Sequence, residues 1–182
     1  YPSFADDAAG LLRTSIRSKG FTVFLEPKAQ YNSVEAASFV PDDFEVPFGK
    51  ARIRRPGSDL SVITYGNTTH FCLTVAEKLK KEHDWDVEVI DIRSLIPLDT
   101  ETIFASVKKT SKVLIVHEDK VFSGFGAEIA GIIGTEMFRY LDAPIQRVGS
   151  TFTPVGFHPV LEKAILPGEE RIYNAAKALL EY

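Results

Sequence analysis

Short apolar runs alternate with segments of helical periodicity over residues 58–182, and this alternation constrains the fold more than any other feature. Between the runs, apolar residues recur three or four positions apart, as they do in amphipathic helices. Strands that alternate with such helices favour right-handed βαβ crossovers and a mostly parallel sheet. The sequence therefore predicts a three-layer α/β/α domain with helices on both faces of the sheet. The predicted strands are Leu60–Tyr65, Val87–Ile92, Val113–Val116 and Ile145–Val148.

Individual positions define the intervening helices more closely. Asp99 has the position of an N-cap after Pro97, which predicts a short helix through Ile103 and Val107. The single cysteine, Cys72, falls on the apolar face of the helix after the first strand, so we expect a small buried residue rather than a nucleophile. The later helices are marked by Ala130, Ile133, Met137 and Leu141, and by Ile172, Ala176 and Leu179.

The front of the chain predicts one helix and one strand. Apolar residues recur at helical spacing from Ala5 to Ile16, until Gly20 ends the run. The short apolar run Phe21–Leu25 contains residues that favour strands and predicts a buried strand. Because no further element stands beside this pair, we expect the chain to be a fragment that begins inside a separate domain.

A long stretch without periodicity follows and is interrupted by prolines. Structureless loops longer than about 12 to 15 residues are rare inside one domain, so the stretch indicates a boundary. We therefore predict the tail of one domain at residues 1–26, a connector at 27–57 and the α/β domain at 58–182. The basic cluster of Arg52, Arg54 and Arg55 lies in this connector, where we expect a solvated linker without function.

Composition and charge exclude several classes of function. The formal net charge is −4, and no run of Lys or Arg forms the basic stripe that binding a phosphate backbone requires, so we expect no nucleic acid partner. No apolar run approaches the roughly 20 residues that span a bilayer, so we expect no membrane segment. A lone cysteine favours a reducing compartment, either the cytoplasm or an organelle matrix.

The most informative local segment is His117-Glu118-Asp119 followed by Ser123-Gly124-Phe125-Gly126. It follows a predicted buried strand, and open parallel sheets bind ligands at the carboxyl ends of their strands. The His117 imidazole could titrate near neutral pH, and the helix that Gly126 opens could receive an anion. Alternatively, the glycines let the loop pack closely on a neighbouring domain while His117 satisfies a hydrogen bond. We favour this second interpretation.

Other motifs with known chemistry are missing from the sequence. Gly124 and Gly126 do not complete a dinucleotide-binding fingerprint, because Ile129 stands where the third glycine belongs. There is no phosphate-binding P-loop, no nucleophile elbow and no pair of metal ligands at helical or hairpin spacing. The apolar, turn-rich segment Pro154–Pro159 either covers an interface or folds over its own sheet edge. We therefore assign no catalytic, cofactor-binding or metal-binding residue.

A series of motifs runs through the α/β region in a distinctive order. It consists of Asp91–Asp99, Glu101–Ile103, Ser106–Thr110, Val116–Glu118, Gly124–Ile129, Ala143–Ile145, Arg147–Val148 and Ile165–Pro167. Taken together, these motifs closely resemble the C-terminal domain of transketolase-like thiamine enzymes, and more narrowly the β subunit of 2-oxoacid dehydrogenases. The front end agrees, because Pro2–Leu12 and Val23–Glu26 are similar to the last helix and strand of that family's pyrimidine-binding domain.

The resemblance implies the decarboxylating component of a 2-oxoacid dehydrogenase complex, which transfers an acyl group from a branched-chain 2-oxoacid or pyruvate to a lipoyl arm. Its cofactors would be thiamine diphosphate and Mg²⁺, bound mainly outside this chain, since the family's diphosphate motif is absent here. The fragment is expected not to be catalytic by itself. Val116–Glu118 and the closing Tyr182 resemble the branched-chain type, which we therefore favour slightly.

The resemblance also implies partners and interface residues. The partners would be the α half of the enzyme, the upstream β residues, a second copy of the chain and the lipoyl acyltransferase core. The implied interface residues are His117, Glu118, Gly124, Gly126, Glu128 and, at the chain's last position, Tyr182. Two alternatives stay open: the C-terminal domain of a transketolase or deoxyxylulose-phosphate synthase, and a non-catalytic interaction module. The compartment would be the bacterial cytoplasm or the mitochondrial matrix.

Overall fold

Five strands and six α-helices follow one another along the chain in the computed structural model, which describes residues 1–182. The strands are β1 Arg52–Arg55, β2 Leu60–Thr64, β3 Val87–Asp91, β4 Val113–Lys120 and β5 Gln146–Ser150. The helices are α1 Ala5–Arg17, α2 Thr68–His83, α3 Thr100–Thr110, α4 Phe125–Glu136, α5 Pro159–Ile165 and α6 Glu169–Leu180. Two short 3-10 helices lie at Lys28–Gln30 and Phe138–Tyr140.

The strands form one sheet in the order β1-β3-β2-β4-β5. Strands β2 to β5 are parallel, and β1 pairs antiparallel with β3. Apolar side chains of α2 and α6 cover one face of the sheet, and those of α3 and α4 cover the other. Burying a Leu, Ile or Val side chain stabilises a fold by roughly 1.5–3 kcal/mol, so these two layers account for the main favourable contribution. The predicted three-layer α/β/α class is confirmed.

Capping is also confirmed in the α/β region, whereas the helix predicted to extend through Met137 and Leu141 ends at Glu136. The backbone N–H of Thr102 donates to Oδ1 of Asp99 at 3.1 Å, so Asp99 caps α3 as predicted. Cys72 is buried on α2, and burial raises the pKa of its thiol to about 12. Strand β4 is longer than predicted and continues to Lys120, which places His117 inside the strand.

Two predictions for the front of the chain are wrong. Phe21–Leu25 is extended but forms no strand, because no other strand of this chain lies beside it to accept or donate backbone hydrogen bonds. Arg52–Arg55 is not a solvated linker but the edge strand β1. The sequence pattern missed β1 because its arginines are paired with carboxylates that lie far away along the chain.

The segment after β5 also differs from the expected loop. Pro159–Ile165 forms the short helix α5, with His158 as its N-cap residue, and none of its residues is buried. Phe157, immediately before it, is fully exposed. The question whether Pro154–Pro159 covers an interface therefore stays open, but the segment does not bury its apolar side chains against its own sheet.

Buried ion pairs attach α1 to the sheet. Nη2 of Arg54 on β1 contacts Oδ2 of Asp7 and also Oδ2 of Asp91, the latter at 2.8 Å. Nη1 of Arg93 donates to the other oxygen of Asp7 at 2.7 Å. Both carboxylates are fully buried, and burial raises the pKa of Asp91 while Arg54 opposes that rise. Helix α1 is thus fixed to β1 and β3 by charge pairing as well as by packing.

We expect Asp7→Asn to destabilise the chain strongly, because it leaves Arg54 and Arg93 without a buried counter-charge. Removing one partner of a buried ion pair costs about 3–5 kcal/mol. Urea unfolding followed by circular dichroism measures this loss. Asp42→Asn is the matched control, since Asp42 is exposed and the change should leave the unfolding midpoint unaltered. A midpoint for Asp7→Asn equal to that of the control would contradict the role of the network.

Candidate functional site

The candidate site lies where the carboxyl ends of β2 and β4 meet. Strand β2 is followed by β3 on one side and has β4 on its other side, so the direction of the chain's crossovers reverses between β2 and β4. In open α/β sheets this reversal opens a crevice at the carboxyl ends of the strands, where ligands bind. His117 follows the last residue of β4 that pairs with β2, and therefore lies at this position.

His117 is completely buried on the α4 face of the sheet. Neither ring nitrogen has a hydrogen-bond partner. The Tyr65 ring lies parallel to the imidazole, with 6.2 Å between the centroids. Burial lowers the pKa of His117, Asp119 opposes this and Arg147 adds to it. The expectation that His117 satisfies a hydrogen bond is therefore wrong, because its neighbours are glycine backbone and an aromatic face.

Three glycines enclose the His117 ring. A Cβ atom at Gly126 would overlap Nε2 of His117, and one at Gly124 would lie 3.0 Å from Cε1. A Cβ atom at Gly149 would lie 3.2 Å from the same carbon. The loop glycines do pack closely within the chain, against this buried histidine, while their packing on a neighbouring domain stays a prediction. Gly149 had no sequence signal, since it comes close only through the pairing of β4 with β5.

Glu118 points to the opposite side of the strand and contacts the start of α2. The side-chain amide of Asn67 donates to Oε1 of Glu118 at 3.1 Å. The backbone carbonyl of Glu118 accepts a hydrogen bond from the Ser150 hydroxyl. Burial and the nearby Glu118 carboxylate both raise the pKa of the Tyr1 phenol. Glu118 is thus surrounded by residues of this chain and lies only half-exposed.

The front segment of the chain fills the crevice at the carboxyl ends of the strands. The Tyr1 ring lies 5.4 Å from that of Tyr65. It also packs on Gly66, which has a φ of 61° and whose Cβ, if present, would lie 3.0 Å from Cζ of Tyr1. The Tyr1 amino group donates to the carbonyl of Arg93 at 2.8 Å. An aromatic side chain of this chain therefore occupies the place where a small ligand would bind.

The six predicted interface residues do not form one surface. His117, Gly124 and Gly126 are buried together, whereas Glu128 is exposed in the first turn of α4. Tyr182 is 73% exposed and lines a shallow depression of about 440 Å³ with Gly134 on α4. An interface role for these residues stays a prediction.

Two apolar cavities lie beside α1, and sequence reasoning did not identify them. One, of about 510 Å³, lies between Phe21–Leu25 and Ser94–Pro97. The other, of about 490 Å³, lies between α1 and the segment Glu26–Ala37. Their walls include residues of the unpaired extended segment, so both mark surface that another strand or helix could cover. Only the apolar character of Phe21–Leu25 could have pointed to them.

The structure shows neither a metal-holding cluster nor a hydrogen-bonded His117 at the site. No group of three or more His, Cys, Asp or Glu side chains is placed to hold a metal ion. His117 has no nucleophile or carboxylate within hydrogen-bond distance.

None of the helices is both long and apolar enough to cross a lipid bilayer.

The structure is a mostly parallel α/β domain with a glycine-lined strand end, and comparison with known proteins identifies its family. Residues 49–172 match the family described as "Transketolase, C-terminal domain". The chain belongs to this family. The solved structure described as "Split gene transketolase, inactive beta4 tetramer" is similar in fold, with a TM-score of 0.67. It is 23% identical, and the match covers 78% of this chain and 45% of that one.

The similar curated proteins are β subunits of 2-oxoacid dehydrogenases. The β subunit of the pyruvate dehydrogenase E1 component of Rickettsia felis is 42% identical over 100% of this chain and 55% of its own length. The 2-oxoisovalerate dehydrogenase β subunit of Pseudomonas aeruginosa is also 42% identical, over 99% of this chain and 54% of its own. The chain thus spans about half the length of the curated relatives it matches. The predicted resemblance to the transketolase C-terminal family and to β subunits of 2-oxoacid dehydrogenases is confirmed.

We expect Gly126→Ala to destabilise the chain, because the new methyl group would overlap the buried His117 ring. Overpacking a filled core costs about 1–3 kcal/mol. Gly131→Ala is the matched control on the same helix, since nothing lies within 4 Å of its Cβ position. Replacing an exposed helical Gly by Ala should stabilise by about 0.5–1 kcal/mol. Thermal unfolding that ranks the two variants in the opposite order would disprove the glycine cage.

Proposed function

We propose that this chain is the C-terminal assembly region of the β subunit of a thiamine-diphosphate-dependent 2-oxoacid dehydrogenase. The complete enzyme would decarboxylate a branched-chain 2-oxoacid or pyruvate and transfer the acyl group to a lipoyl arm. The chain would be inactive alone and would contribute structure and contacts. The sequence relatives support this proposal, since they include both pyruvate and 2-oxoisovalerate dehydrogenase β subunits.

The observation that carries the proposal is the unpaired extended segment Phe21–Leu25. None of its backbone amides or carbonyls makes a backbone hydrogen bond in this chain. Phe21 is 96% exposed and Val23 is 66% exposed, so one side of the segment presents apolar side chains to solvent. Unpaired strand edges with apolar side chains invite the addition of another strand. Sheet strands from the upstream β polypeptide would supply this pairing.

Helix α1 supports the same proposal. It precedes Phe21–Leu25 and is held on the α/β domain by the buried pairs of Asp7 with Arg54 and Arg93. Leu12 and Ile16 on α1 are nevertheless exposed, at 42% and 75%. The helix therefore has one face on this domain and one apolar face free. Such a helix is suited to join two domains, and the boundaries at residues 1–26, 27–57 and 58–182 stay a proposal.

The cofactors of the complete enzyme would be thiamine diphosphate and Mg²⁺. The residues of this chain do not fit either group, because no set of side chains could hold a metal ion and Tyr1 fills the crevice at the strand ends. Any direct contact of the cofactor would therefore come mainly from the α half and the upstream β residues. We derive no catalytic step from the residues present here.

The proposed partners follow from the same assignment. They are the α half, the upstream β residues, a second copy of the chain and the lipoyl acyltransferase core. Glu128 and Tyr182 are exposed and available for such contacts, whereas His117, Gly124 and Gly126 would act by shaping the domain beneath them. A branched-chain 2-oxoacid stays slightly favoured over pyruvate as the substrate of the complete enzyme. The compartment would be the bacterial cytoplasm or the mitochondrial matrix.

Reconstitution tests the proposal directly. We expect isothermal titration of thiamine diphosphate with Mg²⁺ to show binding when the upstream β polypeptide and the α half are supplied, and none to this chain alone. Val23→Asp should abolish assembly, because it places a charge on the apolar side of the segment that gains a strand. Lys19→Glu is the control, since Lys19 is exposed and lies just outside that segment.

Three outcomes would count against the proposal. Tight binding to the isolated chain would mean that the cofactor site lies within it. Absence of binding in both arms would favour a non-catalytic interaction module. A reconstituted enzyme that acts on ketose phosphates and not on 2-oxoacids would place the chain with transketolases.

A further inference from the structure

The His117 ring lies at a weak point of the sheet. Strand β4 pairs with β2 only up to Val116. Its register with β5 is then interrupted, and pairing resumes at Lys120 with Ser150. His117 therefore lies in the part of β4 that has the fewest ladder hydrogen bonds. Hydrogen bonds from Ser150 and Asn67 to Glu118 hold this part of β4, and the packing of the His117 ring adds to them.

The loop after β4 is attached by few bonds. The amide of Val121 donates to the carbonyl of Ser150 at 3.4 Å, and Nη1 of Arg147 donates to the carbonyl of Val121 at 2.8 Å. Ser123 has a φ of 60°, which is a strained conformation for a residue other than glycine. Phe122 is mostly exposed. The loop is thus positioned by these two bonds, by the Phe122 ring, whose centroid lies 5.0 Å from that of Phe152, and by the glycine contacts with His117.

A proton on the imidazole would be favoured by the carboxylate and the backbone of Asp119, but burial of the ring opposes it more strongly. The neutral ring already lacks a partner at both nitrogens, and protonation would add a positive charge and a second unpaired donor. The backbone of Gly126 lies against Nε2, so there is no room for a water molecule between them. The positive end of the α4 dipole is also close and disfavours a cation.

The charged groups around His117 come from three elements. On β4, the carboxylate of Asp119 favours the cation, and Glu118 is occupied by Asn67 on the other side of the strand. On β5, Arg147 disfavours the cation. On α4, the only charged group of the first turn is Glu128, which is exposed to solvent. Tyr65, which stacks on the ring from the end of β2, is neutral.

We propose that His117 and its three glycines form a proton-sensitive latch that keeps the loop Val121–Gly124 and the start of α4 closed against β4. With neutral His117 the latch is closed. Protonation expels the ring from the cage and releases the loop, while the paired part of the sheet remains folded. This inference does not depend on the proposed function, because every contact in it lies within the chain.

The direction of the pH effect follows from the burial of the ring. The pKa of His117 is lower in the folded chain than the usual value of 6.5. The unfolded or released segment then binds the proton more tightly than the closed one. The closed state is fully favoured above the ordinary histidine pKa and loses this advantage as the pH falls from there through the lowered folded value.

Hydrogen–deuterium exchange of the full chain tests the latch. After correction for intrinsic exchange rates, we expect protection of residues 118–128 to fall several-fold, by up to about tenfold, between roughly pH 7.5 and 5.5. Protection in β2 and β3 should remain. His117→Gln should remove the pH dependence, whereas His83→Gln, a change at a surface histidine, should preserve it.

A titration of the unaltered chain covers the case in which His117→Gln fails to fold. The imidazole Cε1–Hε1 signals of the four histidines should show one ring that stays neutral below the pH at which the others titrate. The pH at which this signal shifts to its protonated position should match the pH at which residues 118–128 lose protection from hydrogen exchange. Unchanged protection in that segment, equal loss throughout the sheet, or an ordinary titration of all four rings would each overturn the proposal.

Discussion

The fully buried Asp7 carboxylate is the constraint on which the arrangement of this chain depends. It is paired with Arg54 and Arg93, and Arg54 also reaches Asp91 on the neighbouring strand. Buried charges are tolerated only when they are paired and hydrogen-bonded, so none of these groups can move alone. The network therefore fixes the orientation of α1 on the domain and keeps β1 on the edge of the sheet.

Regular features of the fold were predictable, because they repeat along the chain. Strands such as Leu60–Thr64 are apolar runs in the sequence and are buried in the structure. The spacing from Asp99 to Thr102 is a helix-capping signal that the local sequence contains. The edge strand Arg52–Arg55 was not predictable in this way. Its arginines have a polar pattern that favours a linker. The Asp7 carboxylate that pairs with buried Arg54 lies 47 positions away in the sequence. Charge pairs across such distances leave no periodic trace in a single sequence.

At the candidate site, too, some features were predictable from the local sequence and others depend on residues that are distant along the chain. The glycines at 124 and 126 suggested close packing, and close packing is present. What they pack against is His117, seven and nine positions earlier, and Gly149 from the next strand packs against the same ring. Sequence reasoning gave the histidine a hydrogen bond because buried polar groups usually have one. Its two unpaired nitrogens could only be found from the three-dimensional enclosure.

The two ends of the candidate site therefore differ in physical character. At the front, ion pairs hold α1 firmly while Phe21–Leu25 is left with unpaired backbone groups, which is a stable attachment beside an unfinished edge. At the end of β4, the sheet pairing is interrupted, and the glycine contacts with the His117 ring help to hold the strand in place. The first arrangement resists separation of the helix from the domain, because breaking it would expose unpaired buried charge. The second depends on contacts that a single proton can oppose, so local opening of this domain should begin at His117 and not at α1.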